Sequence, residues 1–471
     1  KDTLTEFLGA SNVYEYNYDR SLIEDDIEYD IHNLLGVIEG KNDTGILLVG
    51  HYDSRGHIGR TGELGESYGA ADDGYAIATM LEIARLYADK NLENSLYILM
   101  TDAEETGLYG AQMMATETTL MEKIGFVINI EARGVKGPAY MFETSTNNTK
   151  VIDFYTNAEL PVTYSLATAV YTVMPNSTDF TEFLAIDKNG MNFAVLNGLE
   201  YYHTPFDNYT NINQSSIQHY GTQIVPLVDE FVMNDQYKDV DYFDAETNQV
   251  FFTLFANVFV HYGEGFATVM HIVCMLLAVL FTGYLFVKKE LTARIFGFGA
   301  ASVIGAMVVA YFVGSWVAKI VAFFSKVPFD MTYVRTLYGN VPSLLTLVGL
   351  TMLLGYLYMK KAQTFQKGIV VFGMLLNLLL ALLTGFVLSG ASFLFLIAGV
   401  TGLLVLAFEQ WCVKIWVKRV VFALLMILNI LVVVPIIFSL YLALTIGGLL
   451  ALGIILVFYL VVLIPLFTAQ L

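Results

Sequence analysis

The chain has 471 residues, 56% of them hydrophobic and 15% charged, too apolar for one water-soluble globule and too rich in clustered acids for a bundle of membrane helices alone. Residues 1–250 hold 40 Asp/Glu against 13 Lys/Arg (net −27), and residues 251–471 hold 4 against 12 (net +8), so two physical regimes share one polypeptide. The acidic half argues against nucleic acid as a partner, because phosphate binding wants basic patches, and Cys274 and Cys412 both fall in the apolar half, which leaves the acidic half no disulfide.

From Ile31 onward, strand-like and helix-like runs alternate. Ile46–Val49 reads as a strand, Ala76–Tyr87 as a helix, Ser95–Met100 as a strand, Leu108–Met121 as a helix and Phe126–Ile130 as a strand. Asn192–Leu196 reads as a later strand and Ser215–Met233 as a closing helix. This succession predicts an α/β fold with a mixed, mostly parallel sheet flanked by helices. Ligands in such sheets bind beyond the carboxyl ends of the strands.

Residues 1–240 are therefore expected to form one domain, and residues 241–264 a junction, since Val250–Val260 is apolar but too short to span a bilayer. Seven stretches are long enough: roughly 265–287, 295–318, 340–359, 368–389, 391–408, 421–443 and 446–467, an all-α multi-pass transmembrane domain in a lipid bilayer. Lys288, Lys289 and Arg294, then Lys360, Lys361 and Lys367, then Lys414, Lys418 and Arg419 follow the first, third and fifth spans. By the positive-inside rule those loops are cytoplasmic, which puts the acidic domain outside the cytoplasm. A cell membrane is the expected location, with endoplasmic reticulum or vacuole as alternatives. Gly297, Ala301 and Gly305 fall four apart, as on a helix face suited to close packing.

Imidazoles and carboxylates gather at the predicted strand ends. His51-Tyr52-Asp53 follows the first strand, and Asp53 can accept the ring N–H that does not face a metal. Gly69-Ala70-Ala71-Asp72-Asp73-Gly74 is a tight turn opening a helix, where capping and metal bridging compete for two acids; Asp72 is assigned to the bridge and Asp73 to support. Glu104-Glu105 after the next strand aims two adjacent side chains in different directions, one at a metal and one at the substrate water. Glu131 ends an apolar strand with Arg133 close by, and His203 stands in a Pro-bearing loop with Asp207 four residues on. Each motif alone has an ordinary explanation as a cap, a dipole partner or an ion pair. Five in this order, each at a strand end or in a neighbouring loop, suit two zinc ions, which need two His and three acids, with a further acid unligated as base.

At these residues the chain resembles metallopeptidase family twenty-eight, the zinc aminopeptidase and glutamate carboxypeptidase type. The matching motifs are His51-x-Asp53, Gly69-Ala70-x-Asp72-Asp73, Ala103-Glu104-Glu105-x-Gly107, Asn129-x-Glu131 and His203. Met174 to Phe180 and Tyr202-His203-Thr204-Pro205 are similar to its membrane-embedded branch, that of endoplasmic reticulum metallopeptidase and vacuolar membrane protease. The resemblance implies a zinc exopeptidase-like fold and two zinc ions. One would be held by His51, Asp72 and Glu131 and the other by Asp72, Glu105 and His203, with Glu104 as general base and Asp53 orienting His51.

Glu131 stands where the soluble aminopeptidases commonly have Asp. Arg133 offers a hold for a substrate carboxylate and Tyr202 a hydrogen bond to the tetrahedral intermediate. Arg55, His57 and Arg60 belong to a Gly-rich insertion, residues 54–69, expected as a solvated loop. The implied activity is peptide hydrolysis by an aminopeptidase. The alternatives are a carboxypeptidase or dipeptidase of the same fold, a glutaminyl cyclase, or a non-catalytic membrane scaffold or receptor.

Overall fold

The computed structural model of the protein describes residues 1–24, 27–58, 63–171, 176–255, 257–331, 334, 336, 338–360 and 365–468. It divides into two compact units, Lys1–His261 and Tyr262–Leu471.

The first unit opens with a short helix, α1 (Asp2–Leu8). The strands are β1 (Val13–Glu24), β2 (Ile27–Ile38), β3 (Gly40–His51), β4 (Gly56–Ile58), β5 (Glu63–Gly65), β6 (Leu92–Thr101), β7 (Ile124–Ala132), β8 (Lys136–Thr144) and β9 (Gly190–Asn197). The principal helices are α2 (Gly74–Tyr87), α3 (Tyr109–Ala115), α4 (Thr118–Met121), α5 (Thr149–Tyr155), α6 (Ser165–Tyr171), α7 (Asp179–Leu184) and α8 (Gln214–Met233). Seven strands form one sheet in the order β1-β2-β6-β3-β7-β9-β8. Its four central strands are parallel, and an antiparallel strand or hairpin closes each edge. The N-terminal hairpin β1–β2 and the edge strand β8 add to the elements expected from the periodicity.

The expected helix over 108–121 is two helices, because the chain turns at Thr116, whose hydroxyl donates to Met113 O at 2.7 Å. The β3, β6 and β7 interiors are apolar on both faces, as parallel strands covered by helices must be. On one face Ile46, Leu48, Ile98 and Ile128 pack with Ala76, Met80 and Ile83 of α2 and Ile224, Leu227 and Phe231 of α8. On the other, Leu47, Val49, Leu99 and Val127 pack with Ala111 and Met114 of α3 and Phe180 and Phe183 of α7. This two-sided burial holds the strands in register: His51 lies beside Thr101, and Val49 beside Asn129. Two residues on, His51 and Glu131 stand level at adjacent strand ends.

Residues expected as a junction form a hairpin, β10 (Gln249–Phe255) with β11 (Val258–Gly263). Its first strand is tied into the first unit, since Thr253 N donates to Thr163 O at 2.9 Å and Phe252 bridges Tyr164.

The second unit is helical: Glu264–Val287, Ala293–Phe324, Asn340–Lys360, Gln366–Val387, Ser392–Trp411, Ile415–Leu444 and Leu449–Thr468. Six stretches among the described residues are long and apolar enough to cross a membrane, the last running over 49 residues, Ile415–Leu463. A crossing needs about 20 residues, and a 3-10 turn at Thr445–Gly448 breaks this stretch into two helices. The face Gly297-Ala301-Gly305 is not the packed one: a Cβ at Gly297 or Gly305 would meet nothing. Gly299 is the close-approach point, where a Cβ would lie 2.2 Å from the Gly368 backbone, and Val303, Ala306 and Ala310 continue that buried face. Asn377 and Asn429 spend their amides on neighbouring helices, donating to Phe458 O at 3.2 Å and Thr401 Oγ1 at 2.7 Å.

Candidate active site

His51 terminates β3, and its ring is buried. Nδ1 lies 3.0 Å from the Asp53 carbonyl oxygen and 3.4 Å from its carboxylate, so the Nδ1 proton has acceptors on its own turn. Nε2 is thereby left facing Asp72 Oδ1 at 3.3 Å and Glu131 Oε2 at 3.7 Å. The Asp53 carboxylate also accepts the backbone N–H of Glu104 at 3.1 Å and of Glu105 at 3.2 Å. One acid thus ties the turn after β3 to the turn after β6.

Asp72 and Asp73 sit before α2, joined by a cis peptide, and both are buried. Asp73 caps the helix, with Ala76 N donating to Oδ1 at 3.4 Å, and its Oδ2 accepts the His51 N–H at 3.2 Å. Asp207, also buried, accepts the backbone N–H of Ala71 at 2.8 Å and of Asp72 at 3.1 Å. The two support acids therefore act on backbone, and Asp72 turns its carboxylate to both histidines: Oδ1 to His51 and Oδ2 to His203 Nε2 at 3.2 Å. Burial works against ionisation of Asp72, but hydrogen bonds from His203 and His51 hold its carboxyl below the usual range.

His203 sits in the loop beyond β9 in the left-handed region, φ 54°. Its Nε2 lies 2.9 Å from Glu105 Oε2, and its ring stacks on Tyr202 with centroids 3.7 Å apart. Burial and the nearby Asp72 push the Glu105 carboxyl up to about 7. Burial lowers the His203 ring's affinity for a proton, but Asp72 and Glu105 outweigh it and raise it to about 9. Glu104 is raised well above the carboxylate range, first by burial and then by Glu131, Asp179 and Glu105. Burial, then the Asp72, Glu105 and Glu104 carboxylates, raise the Tyr202 hydroxyl well above the usual tyrosine range, against a smaller opposing effect of Arg133, which follows β7. From the Gly-rich insertion, Arg55 Nη1 donates to Glu105 O at 3.2 Å; Arg60 lies outside the described residues, as do Met174 and Pro175.

Two groups near these residues carried no role in the sequence reading. Asp179, fully buried at the start of α7, accepts the Thr101 hydroxyl on Oδ2 and has no hydrogen-bond partner on Oδ1 among the described residues. Burial raises its carboxyl to about 7. Beyond Glu131, Asn129, Asn192 and Glu143 form a buried polar row across three strands. The signal for both was polarity at inward positions of apolar strands and helices, which only a known register turns into proximity.

The donor set fits metal. Ligand atoms of His51, Asp72 and Glu131 lie within 4.8 Å of one another, and so do those of Asp72, Glu105 and His203. A third grouping, His51 with Glu104 and Glu105, draws a residue from each of those two and competes with them. Glu105 Oε1 is buried without a hydrogen-bond partner among the described residues. Imidazole nitrogen with carboxylate oxygen is a zinc-type donor set, and a cation among these buried acids would favour their ionised forms.

Residues 33–228 match the sequence model described as Peptidase family M28. A vacuolar membrane protease of Candida dubliniensis is 27% identical over 240 residues, covering 50% of this chain and 24% of that protein. A vacuolar membrane protease of Schizosaccharomyces pombe is 30% identical over 193 residues, covering 40% of this chain and 22% of that protein. A second Schizosaccharomyces pombe protein, provisionally named endoplasmic reticulum metallopeptidase 1, is 27% identical over 221 residues, covering 46% and 26%. The matched stretch spans about a quarter of the length of these relatives. Among solved structures, a Zn-dependent exopeptidase from Parabacteroides distasonis ATCC 8503 superposes with a TM-score of 0.39 at 18% identity, covering 48% of this chain and 87% of that one.

Proposed function

With residues 33–228 forming a peptidase family M28 domain, we propose that the chain is a membrane-anchored dinuclear zinc exopeptidase, an aminopeptidase acting on peptides. The observation that carries this reading is the sharing of Asp72 between two three-residue donor groups, one with His51 and Glu131 and one with Glu105 and His203. Glu104 stands beside them with a raised proton affinity. The six apolar stretches of the second unit supply the anchor. The basic loops between them support a peptidase unit outside the cytoplasm.

His51, Asp72 and Glu131 would hold one zinc and Asp72, Glu105 and His203 the other; bound zinc would polarise the scissile carbonyl and acidify the attacking water. The chain's own residues do the rest. Glu104 takes the water's proton on its carboxylate and delivers it to the leaving amine. Asp53 holds the Glu104 and Glu105 backbone and the His51 ring together, so base and ligands keep one spacing. Asp73 holds the backbone N–H of His51 and Asp207 that of Asp72, so the support acids fix two of the ligand-bearing turns.

Profiling a mixed peptide library with the purified, zinc-loaded protein tests the reading. Loss of single residues from amino ends is the expected result. Trimming from carboxyl ends would point instead to Arg133 as a carboxylate clamp, and cyclisation of amino-terminal glutamine to a glutaminyl cyclase. No turnover with zinc bound would favour a scaffold.

A further inference from the structure

Behind Glu131 a row of amides and acids crosses the sheet in one register. Asn129 of β7 pairs with Asn192 of β9, and Asn192 pairs with Glu143 of β8. All three are buried, as is Glu131 two residues beyond Asn129 on the same face. Asn192 Nδ2 donates to Glu143 Oε2 at 2.9 Å and to Thr178 Oγ1 at 2.8 Å. Both its amide hydrogens are thus spoken for, and its Oδ1 must face Asn129. Asn129 Nδ2 answers with a hydrogen bond at 3.1 Å and gives its second hydrogen to Glu131 Oε1 at 3.4 Å.

The donors all run one way, and the direction starts at Glu143. Burial pushes the Glu143 carboxyl up to about 7; once ionised it accepts only, and Asn192 then cannot turn its oxygen to Glu143 without setting two acceptors against each other. Asn129 in turn cannot present its oxygen to Asn192. Asn129 Oδ1 has no hydrogen-bond partner among the described residues, and leaving a buried acceptor unmet is costly. Turning the amide over would set that oxygen against both Asn192 Oδ1 and the Glu131 carboxylate, which is worse. At the near end Tyr220 donates its hydroxyl to the Glu131 backbone carbonyl. Glu131 is thereby tethered through Oε1, and Oε2 is the oxygen turned to His51 Nε2, 3.7 Å away.

We propose that Glu143 is a positioning residue for the metal centre: through Asn192 and Asn129 it sets which oxygen of Glu131 is tethered and which is offered as ligand. The inference rests on the zinc reading above. It also supplies a reason for a long acid at position 131 to behave as a fixed ligand, since a glutamate has one more rotatable bond than an aspartate and needs a tether to lose that freedom.

The test is zinc affinity of the full chain in detergent, measured by chelator competition, for wild type, Glu143→Leu and Glu143→Gln, with melting of each zinc-free protein as a check on folding. Leucine keeps the bulk and removes the acceptor, whereas glutamine can still offer an oxygen to Asn192. Glu143→Leu is expected to weaken one of the two zinc sites by about 10- to 100-fold, and Glu143→Gln to stay within about threefold of wild type. Zinc-free melting temperatures should agree between wild type and Glu143→Gln. If Glu143→Leu does not fold, Asn192→Ala removes the middle link and is expected to cause the same loss. Wild-type affinity in Glu143→Leu or Asn192→Ala would overturn the positioning role alone, and so would a Glu143→Gln as weak as Glu143→Leu. A wild-type chain that binds no zinc would overturn both readings.

Discussion

Asp207 Oδ2 accepts the backbone N–H of Asp72 at 3.1 Å, so the acid four residues after His203 fixes the loop that presents the carboxylate shared by the two donor groups. Asp207→Ala should free that loop while leaving every ligand side chain in place. Outer-shell losses of this kind cost about 10- to 100-fold in metal affinity or activity. The measurement is zinc content after dialysis together with kcat/KM. Full zinc retention and unchanged kcat/KM would show that the Asp72 loop holds its shape unaided.

Glu104 gives the sharpest separation of binding from chemistry. Glu104→Gln keeps the shape, removes the proton acceptor and leaves His51, Asp72, Glu105, Glu131 and His203 untouched. Zinc should remain bound, and kcat should fall by about 10²- to 10⁴-fold, the usual contribution of a general base. Residual activity near that of wild type would assign the proton to another group.

Stoichiometry distinguishes two metals from one. Elemental analysis of the saturated chain should return two zinc ions, and His203→Ala should return one, since His51, Asp72 and Glu131 remain. A single zinc in the saturated wild type would remove the dinuclear reading and favour a single-zinc activity such as glutaminyl cyclisation.

Away from the two donor groups, His219 ties stability to pH. His219 Nδ1 accepts the Ala139 backbone N–H at 3.2 Å, and burial lowers the ring's affinity for a proton below the ordinary 6.5. Below pH 6.5 the unfolded chain takes up a proton that the folded chain resists, so the His219 contribution is present above that pH and lost as pH falls. Thermal melts of wild type and His219→Gln between pH 8 and pH 5 should show a shallower acid-side decline in the variant. Parallel pH curves would place the acid sensitivity elsewhere.

Much of this was legible in the residues themselves. Uninterrupted apolar runs at 46–49, 95–100 and 126–130 are what strands buried on both faces require, and each lies within a strand of the parallel core. Of the seven stretches expected to span a bilayer, the described residues of the second unit hold six long and apolar enough to cross a membrane, the last two expected ones falling largely within the single stretch Ile415–Leu463; apolar composition is a local property that a sequence carries openly. What escaped was of two kinds. The N-terminal hairpin and β8 carry weaker patterns, because an edge strand is covered on fewer sides and mixes polar with apolar residues. The packed glycine of the second helix in that unit is Gly299, not Gly297 or Gly305, because small residues at regular spacing say nothing about which face meets a neighbour.

By itself, the sequence determined the inventory: which acids and imidazoles stand at strand ends, the split between an acidic half and an apolar half, and the helices of the latter. Those are local properties, written in composition and period. Only the tertiary structure decided the distribution of duties, because it depends on contacts between segments far apart in the chain. Asp53 binds the turn carrying Glu104 and Glu105, Asp207 binds the turn carrying Asp72, and Glu143 reaches Glu131 through two amides on neighbouring strands. Strand order and register bring these groups within hydrogen-bond range, and neither can be read from any one segment.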